Sequence, residues 1–197
     1  QNKKTIALVD FSISGNDDTP HAYLGAPLIY GDTIEIIVAI KLPIDGFNAI
    51  MQTKKGLPKS SDIYLVGPDR LLRSDSFLMP KTFSVANSFS RPRAMEIKTL
   101  PVTLALQGKT GTTYSRDYRG TRVLSAYTPL TIMDNTWAVI AELDRNDAFA
   151  PLRIFIILVC VCTLVTALLI FLFSFYAAKR FAAPIMVLTK AAEKVKN

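Results

Sequence analysis

The sequence predicts an α+β fold: an antiparallel sheet with flanking helices, followed by one long transmembrane helix. Three observations carry this. Short runs rich in Ile, Val, Leu and Tyr recur along the first three quarters of the chain, broken by Gly, Asn, Asp and Pro. Brief helical patterns lie between some of those runs, in an order that matches an antiparallel sheet with helices on one side. The third observation is a charge-free apolar stretch near the C-terminus. The 197 residues are 50% hydrophobic, and the mean hydropathy of +0.27 is high for a soluble chain. The hydrophobicity is concentrated in that stretch. The length suits one domain, or one domain and part of another, with a sizeable core.

Thr5 to Ile13, Ala22 to Tyr30 and Thr33 to Lys41 read as strands. Gly15-Asn16-Asp17-Asp18 separates the first two, and Gly31-Asp32 is the two-residue turn of a hairpin between the last two. Pro43 ends the third strand, and Asp45 can cap a short helix through Phe47, Ile50 and Met51 that stops before Gly56. Asp62 to Val66 and Leu71 to Ser76 then flank Gly67-Pro68-Asp69-Arg70, a turn in which Pro presets φ and Asp bonds locally. Residues 77 to 99 read as a polar connection, and Pro101 to Leu106 as a short helix closed by Gly108. Three more strands follow, Thr112 to Tyr118, Thr121 to Pro129 and Thr136 to Leu143, the first two joined at Arg119-Gly120. Strand, strand, helix and three strands is the element order of a PAS-like antiparallel sheet. Asn146 or Asp147 can cap a helix that passes Phe149 and Pro151 and runs on into the apolar stretch.

That stretch, Ile154 to Ala178, holds 25 residues without a charge, Pro or Gly. As a helix it would be about 37 Å long at ~1.5 Å per residue, more than the ~30 Å hydrocarbon core of a bilayer. Its place near the C-terminus excludes a signal peptide. Lys179, Arg180, Lys190, Lys194 and Lys196 follow it with only Glu193 opposing, whereas Arg153 alone directly precedes it. The positive-inside rule therefore places the C-terminus in the cytoplasm. Of the net charge of +7, residues 1–153 contribute 18 basic against 15 acidic groups and residues 179–197 contribute 5 against 1. Much of the basicity is thus a topology signal, and no nucleic-acid partner is expected. Both cysteines, Cys160 and Cys162, fall inside the span, so the outer part has neither a disulfide framework nor a cysteine zinc site.

The chemistry-bearing residues are few. His21 is the one histidine, and no Gly-x-Ser-x-Gly, Walker, His-Glu-x-x-His or calcium-loop pattern occurs. No catalytic residue, metal ligand or cofactor is expected. Asp69, Arg73 and Asp75 gather at the first hairpin, where an Arg beside a carboxylate could clamp a ligand carboxylate in bidentate fashion. The plainer reading is an ion pair of Arg73 with Asp75 or Asp117 that holds the turn. Tyr64, Tyr114, Tyr118, Tyr127 and Trp137 alternate along the strands and could line a pocket with donors, or simply form core. The candidate ligand-binding set is therefore Tyr64, Arg73, Asp75, Tyr114, Asp117 and Tyr127.

Three stretches also carry a family resemblance: DIYLVGPDRLLRSDS from Asp62, DYRGTRVLSAYTPL from Asp117, and WAVIAELDRNDAFAPLR from Trp137. Together they resemble the membrane-proximal half of the extracytoplasmic Cache sensor domain of bacterial chemoreceptors, histidine kinases and receptor-type cyclases. His21 to Asp45 resembles the closing strands of the membrane-distal unit in the double Cache arrangement. AKRFAAPIMVLTKAAEKV from Ala178 resembles the first helix of a HAMP linker, with Pro184 at its start and Ile185, Leu188, Ala192 and Val195 on one apolar face. Arg70 stands where Gly is common in the family.

The resemblance implies four segments: 1–44 closing a distal unit, 45–145 a membrane-proximal PAS-like unit, 146–178 a signalling and transmembrane helix, and 179–197 the start of HAMP. It implies a fragment of a homodimeric receptor in the bacterial inner membrane, with its N-terminal part periplasmic. A small-molecule ligand would be sensed outside and relayed to a methyl-accepting chemotaxis output. The alternatives are a histidine kinase or nucleotide cyclase output, or a membrane-anchored periplasmic domain without signalling.

Overall fold

The computed structural model describes residues 6–13, 19–31, 33–53 and 56–182. The chain divides into two compact units, Gln1–Ala148 and Phe149–Asn197.

The first unit opens with three antiparallel strands in the order β1 (Ala7–Ser12), β2 (His21–Tyr30) and β3 (Thr33–Leu42). Strict alternation would put Leu8 and Phe11 on opposite faces, yet both are buried. The register between β1 and β2 shifts between Val9 and Ser12, and such an irregularity re-aims the residue that follows it. β3 is different: among the described residues it pairs with β2 alone, along one edge, and every residue from Thr33 to Lys41 is exposed, Ile34, Ile36, Ile37, Val38 and Ile40 among them. The turn expected at Gly31-Asp32 includes Asp32, which lies outside the described residues, as does the Gly15 to Asp18 turn.

Pro43, not Asp45, stands at the N-cap of α1 (Ile44–Met51) and offers no side-chain bond, while Asp45 sits in the first turn. There a carboxylate still complements the positive helix end. The second sheet has the order β4-β7-β6-β5, antiparallel throughout, from β4 (Asp62–Val66), β5 (Gly111–Arg116), β6 (Arg122–Ile132) and β7 (Asn135–Asp144).

The strand expected at Leu71 to Ser76 does not form; a single bridge joins Val66 to Leu72. Two backbone bonds make that bridge, Arg73 N to Leu65 O and Gly67 N to Leu71 O, each at 2.8 Å. Side chains take the neighbouring amides: Leu65 N donates to Ser74 Oγ at 2.9 Å, and Leu71 N donates to Asp69 Oδ1 at 3.0 Å. Residues 77–99, read from sequence as irregular, contain two short helices, α2 (Val85–Ser90) and α3 (Pro92–Met95). Ser84 caps the first by accepting from Asn87 N, and Pro92 opens the second. Helix α4 (Leu100–Leu106) appears where expected and packs against β5, β6 and β7.

The core gathers Leu8 and Phe11 of β1, Tyr64, Leu65 and Val66 of β4, Val85, Val102 and Ala105 of the helices, and Trp137, Ala138 and Ile140 of β7. Trp137 is fully buried and meets Phe11 and Phe47 with centroids 6.1 and 5.6 Å away.

β7 passes at Arg145 into α5 (Arg145–Ala148), the last helix of the first unit. The second unit holds α6 (Ala150–Ala177), 28 residues long with none buried, and a π-helical turn over Ala178–Ala182. The helix expected to start at Asn146 or Asp147 is thus interrupted at Phe149 (φ −99°, ψ 3°). Pro151 explains the break, since it has no N–H for the residue 147 carbonyl and its ring crowds that group. The window within Ala150–Arg180 reaches a mean hydropathy of 3.2. Thr163 and Thr166 return their hydroxyls to Val159 O and Cys162 O, which satisfies them without water. Cys160 and Cys162 are both free thiols. The expected HAMP stripe, Ile185 to Val195, lies outside the described residues.

Candidate functional site

Residues directly opposite in antiparallel strands share a face. The register therefore assembles one face of the second sheet from Asp62, Tyr64 and Val66, from Ala138, Ile140 and Glu142, and from Ser125 and Tyr127. Asp62, Tyr64, Ser125 and Glu142 are all buried on it. A buried polar group costs stability unless it is bonded, so the partners of each define the site.

Asp62 is well satisfied. Its Oδ2 accepts from Ser76 Oγ at 2.6 Å and from the Tyr118 hydroxyl, and its Oδ1 accepts from Phe77 N at 2.9 Å. Burial, and then the bond to Asp62, push the Tyr118 hydroxyl well above the ordinary tyrosine range. Glu142, directly across the ladder from Asp62, is not satisfied. Its Oε1 accepts from Ser125 Oγ at 3.1 Å, whereas Oε2 and the Tyr64 hydroxyl have no hydrogen-bond partner among the described residues. The two groups influence each other's titration without reaching bonding geometry. Burial, followed by the negative charge of Asp117, pushes the Glu142 carboxyl up to about 7. Burial, with Glu142 next, likewise raises Tyr64.

Asp117 holds the β5–β6 turn: its Oδ1 accepts from Arg119 N at 2.8 Å and Thr121 N at 2.9 Å, and its Oδ2 from Arg119 Nε at 2.6 Å. Arg119 also reaches Asp144 at 2.7 Å.

Arg73 is 1% exposed, and its partners are neither Asp75 nor Asp117. Nε and Nη2 grip the two carboxylate oxygens of Asp10 at 2.7 Å each, Nη2 also meets Asp69 at 3.0 Å, and Nη1 donates to Leu71 O at 3.1 Å. Burial works against the charge, but the bonds to Asp10 and Asp69 outweigh it and hold the guanidinium above its ordinary value. The group lies so close over Gly67 that an added Cβ there would stand 2.3 Å from Cζ. Asp75 is also engaged within the fold: Oδ1 accepts from Val85 N at 2.7 Å and Oδ2 from Asn48 Nδ2 at 2.8 Å.

Of the six residues expected to bind a ligand, Tyr64 and Tyr127 thus share the buried face and Asp117 acts on it from the adjoining turn. Arg73 and Asp75 are committed to internal partners. Tyr114 projects from the opposite face, 62% exposed, because its register partner is Leu124 rather than Ser125. Tyr127 leans over Gly111, where a Cβ would stand 2.9 Å from its hydroxyl. The sequence reading missed Glu142, Asp62 and Ser125; the signal available was a charged residue inside an otherwise apolar strand, AVIAELD.

No protein-family profile matches the chain. No curated protein matches it either. Among solved structures it is similar to the periplasmic sensory domain of the Campylobacter jejuni chemoreceptor Tlp1, at 15% identity and a TM-score of 0.54, over 77% of this chain and 52% of that one. It is also similar to the ligand-binding domain of the Pseudomonas fluorescens chemoreceptor CtaA in complex with L-isoleucine, at 12% identity and a TM-score of 0.50, over 74% of this chain and 55% of that one. The chain spans about half the length of these sensory domains. What is shared at such identities is the fold: an antiparallel sheet with flanking helices, here followed by one helix apolar and long enough to cross a membrane.

Proposed function

We propose that this chain is the membrane-adjoining part of a bacterial sensory receptor of the double Cache type, with a chemotaxis output. Residues 1–44 close a membrane-distal unit, 45–145 form the membrane-proximal PAS-like unit, 146–178 form the signalling and transmembrane helix, and 179–197 begin a HAMP linker. The chain has no catalytic role of its own, and it works as a homodimer in the inner membrane with the sheets in the periplasm. Its ligand is a small molecule. Amino acids are the class to screen first, since the similar domain of CtaA holds L-isoleucine. Tyr64, Asp117 and Tyr127 are the expected ligand residues that the sheet keeps together on or beside one face.

One observation carries this reading: the last strand of a sheet that shares its fold with a periplasmic sensory domain is followed, after only α5, by a 28-residue apolar helix. The open edge of β3 and its exposed isoleucines support the assignment of residues 1–44, because an apolar strand left unpaired is a liability that proteins cover.

Two measurements test the reading. Single cysteines at Tyr114 and at Lys196, in a chain freed of Cys160 and Cys162, are exposed to a membrane-impermeant maleimide in intact cells. Labelling of position 114 alone is expected, and the reverse pattern sinks the topology. The full chain is then fused in frame at Asn197 to the cytoplasmic part of an unrelated HAMP-containing chemoreceptor and challenged with an amino-acid panel. A change in kinase output is expected. If no amino acid changes it while the fusion still responds to a helix insertion, the amino-acid class is wrong; indifference to both removes signalling altogether.

A further inference from the structure

Two carboxylates, Asp62 and Glu142, face each other directly across the β4–β7 ladder, both buried. Two negative charges at that spacing in a dry site repel strongly, so their surroundings must distinguish them. Asp62 accepts three hydrogen bonds, as an ionised carboxylate wants. Glu142 accepts one, from Ser125, and its Oε2, like the Tyr64 hydroxyl, has no hydrogen-bond partner among the described residues. A neutral carboxyl fits this environment better than a carboxylate, because no donor reaches the buried Oε2 and a second charge would stand opposite Asp62.

We propose that Glu142 is a proton-binding site, neutral in the packed sheet, whose deprotonation places a second charge opposite Asp62 and loosens the β4–β7 pair. The ionisable groups acting on it are Asp62 and Tyr64 from β4 and Asp117 from the β5–β6 turn. Tyr118 is bonded to Asp62, and Arg119 is shared between Asp117 and Asp144, the latter on β7 itself. β6 brings the Ser125 hydroxyl and, on the same face, Tyr127, and α4, reading LPVTLAL, brings no ionisable group. Among the described residues no cation forms an ion pair with the carboxyl, and its titration near neutrality agrees with the geometry. β7 runs at Asp144 into α5, so the loosening falls on the last strand in chain order, the one that leads out of the sheet. The outer domain would then respond to pH independently of any small ligand, and the proposal stands whether or not the sensor reading does.

The full chain in lipid nanodiscs, labelled with ¹³C-glutamate, tests this by infrared difference spectroscopy between about pH 6 and about pH 8.5. Only Glu35, Glu96, Glu142 and Glu193 carry the label; Glu35 is exposed, Glu96 is paired with Lys98 at 2.7 Å, and an E193Q control removes the fourth. A protonated-carboxyl band present at the lower pH, lost at the higher and absent from E142Q is the expected result. No such band in the wild type overturns the proposal, even if E142Q fails to fold. In parallel, the wild-type unfolding midpoint should fall by roughly 3–6 °C between about pH 6 and about pH 8.5 while that of E142Q stays level. Parallel profiles for the two proteins would also refute it.

Discussion

Asp10→Ala tests how the first sheet is fastened to the second. Arg73 is buried with its guanidinium gripped at 2.7 Å by both oxygens of Asp10, 63 residues away in sequence. Its remaining anionic partner, Asp69 at 3.0 Å, has a side chain 42% exposed. Removing one partner of a buried pair costs about 3–5 kcal/mol, because the other charge is left without compensation. Since Asp69 and Leu71 O stay in place, the lower end applies, about 3 kcal/mol. For a unit of this size that is a fall of roughly 6–12 °C in midpoint. Trp137 is the one tryptophan, fully buried against Phe11, the neighbour of Asp10. Its fluorescence in nanodisc-embedded protein is therefore a local reporter. The control is Arg73→Met: in that background Asp10→Ala should cost less than about 1 kcal/mol, because no guanidinium remains to be orphaned. Gly67→Ala puts a methyl against Cζ and should cost about 1–3 kcal/mol with Arg73 present, and little without it. Equal costs for Asp10→Ala in the two backgrounds, or a cost near zero in the wild type, would refute the reasoning.

Three further outcomes are expected. Glu142 binds its proton more tightly folded, about 7, than at its ordinary value of 4.5. That stabilisation is complete below about pH 4.5, is lost as pH rises through about 7, and amounts to about 3 kcal/mol, read as the difference between wild-type and E142Q denaturation curves across pH. Asp75→Ala removes the acceptor for Val85 N and the partner of Asn48, so it should cost about 2 kcal/mol in chemical denaturation, and Asp75→Asn less. Met133 holds φ +54° in the β6–β7 turn, a strained setting for a side chain. Met133→Gly should raise the midpoint by the equivalent of about 0.5 kcal/mol, while Met133→Val should lower it by about 1 kcal/mol.

Legibility in the sequence followed the range of the forces involved. The strands of residues 22–41 and 112–143 were legible because β-branched and aromatic runs bounded by turn residues report a local preference. Pro101 and Gly108 marked α4 in the same way. Leu71 to Ser76 has strand-like composition as well, but its partners are chosen at a distance: Ser74 takes the Leu65 amide and Arg73 turns to Asp10. Tyr64 and Tyr114 looked equivalent in sequence. Register alone puts one in the core and the other in solvent.

By itself, the sequence determined the α+β class, the apolar helix and its charge asymmetry, because hydropathy, turn chemistry and flanking lysines act within a few residues of where they are written. Tertiary structure decided which charges are paired and which carboxyl keeps its proton. Arg73 and Asp10, or Glu142 and Asp62, meet only when separate strands are brought together and water is excluded. Desolvation, which sets the cost of a lone charge, belongs to the assembled interior and to no single stretch of the chain.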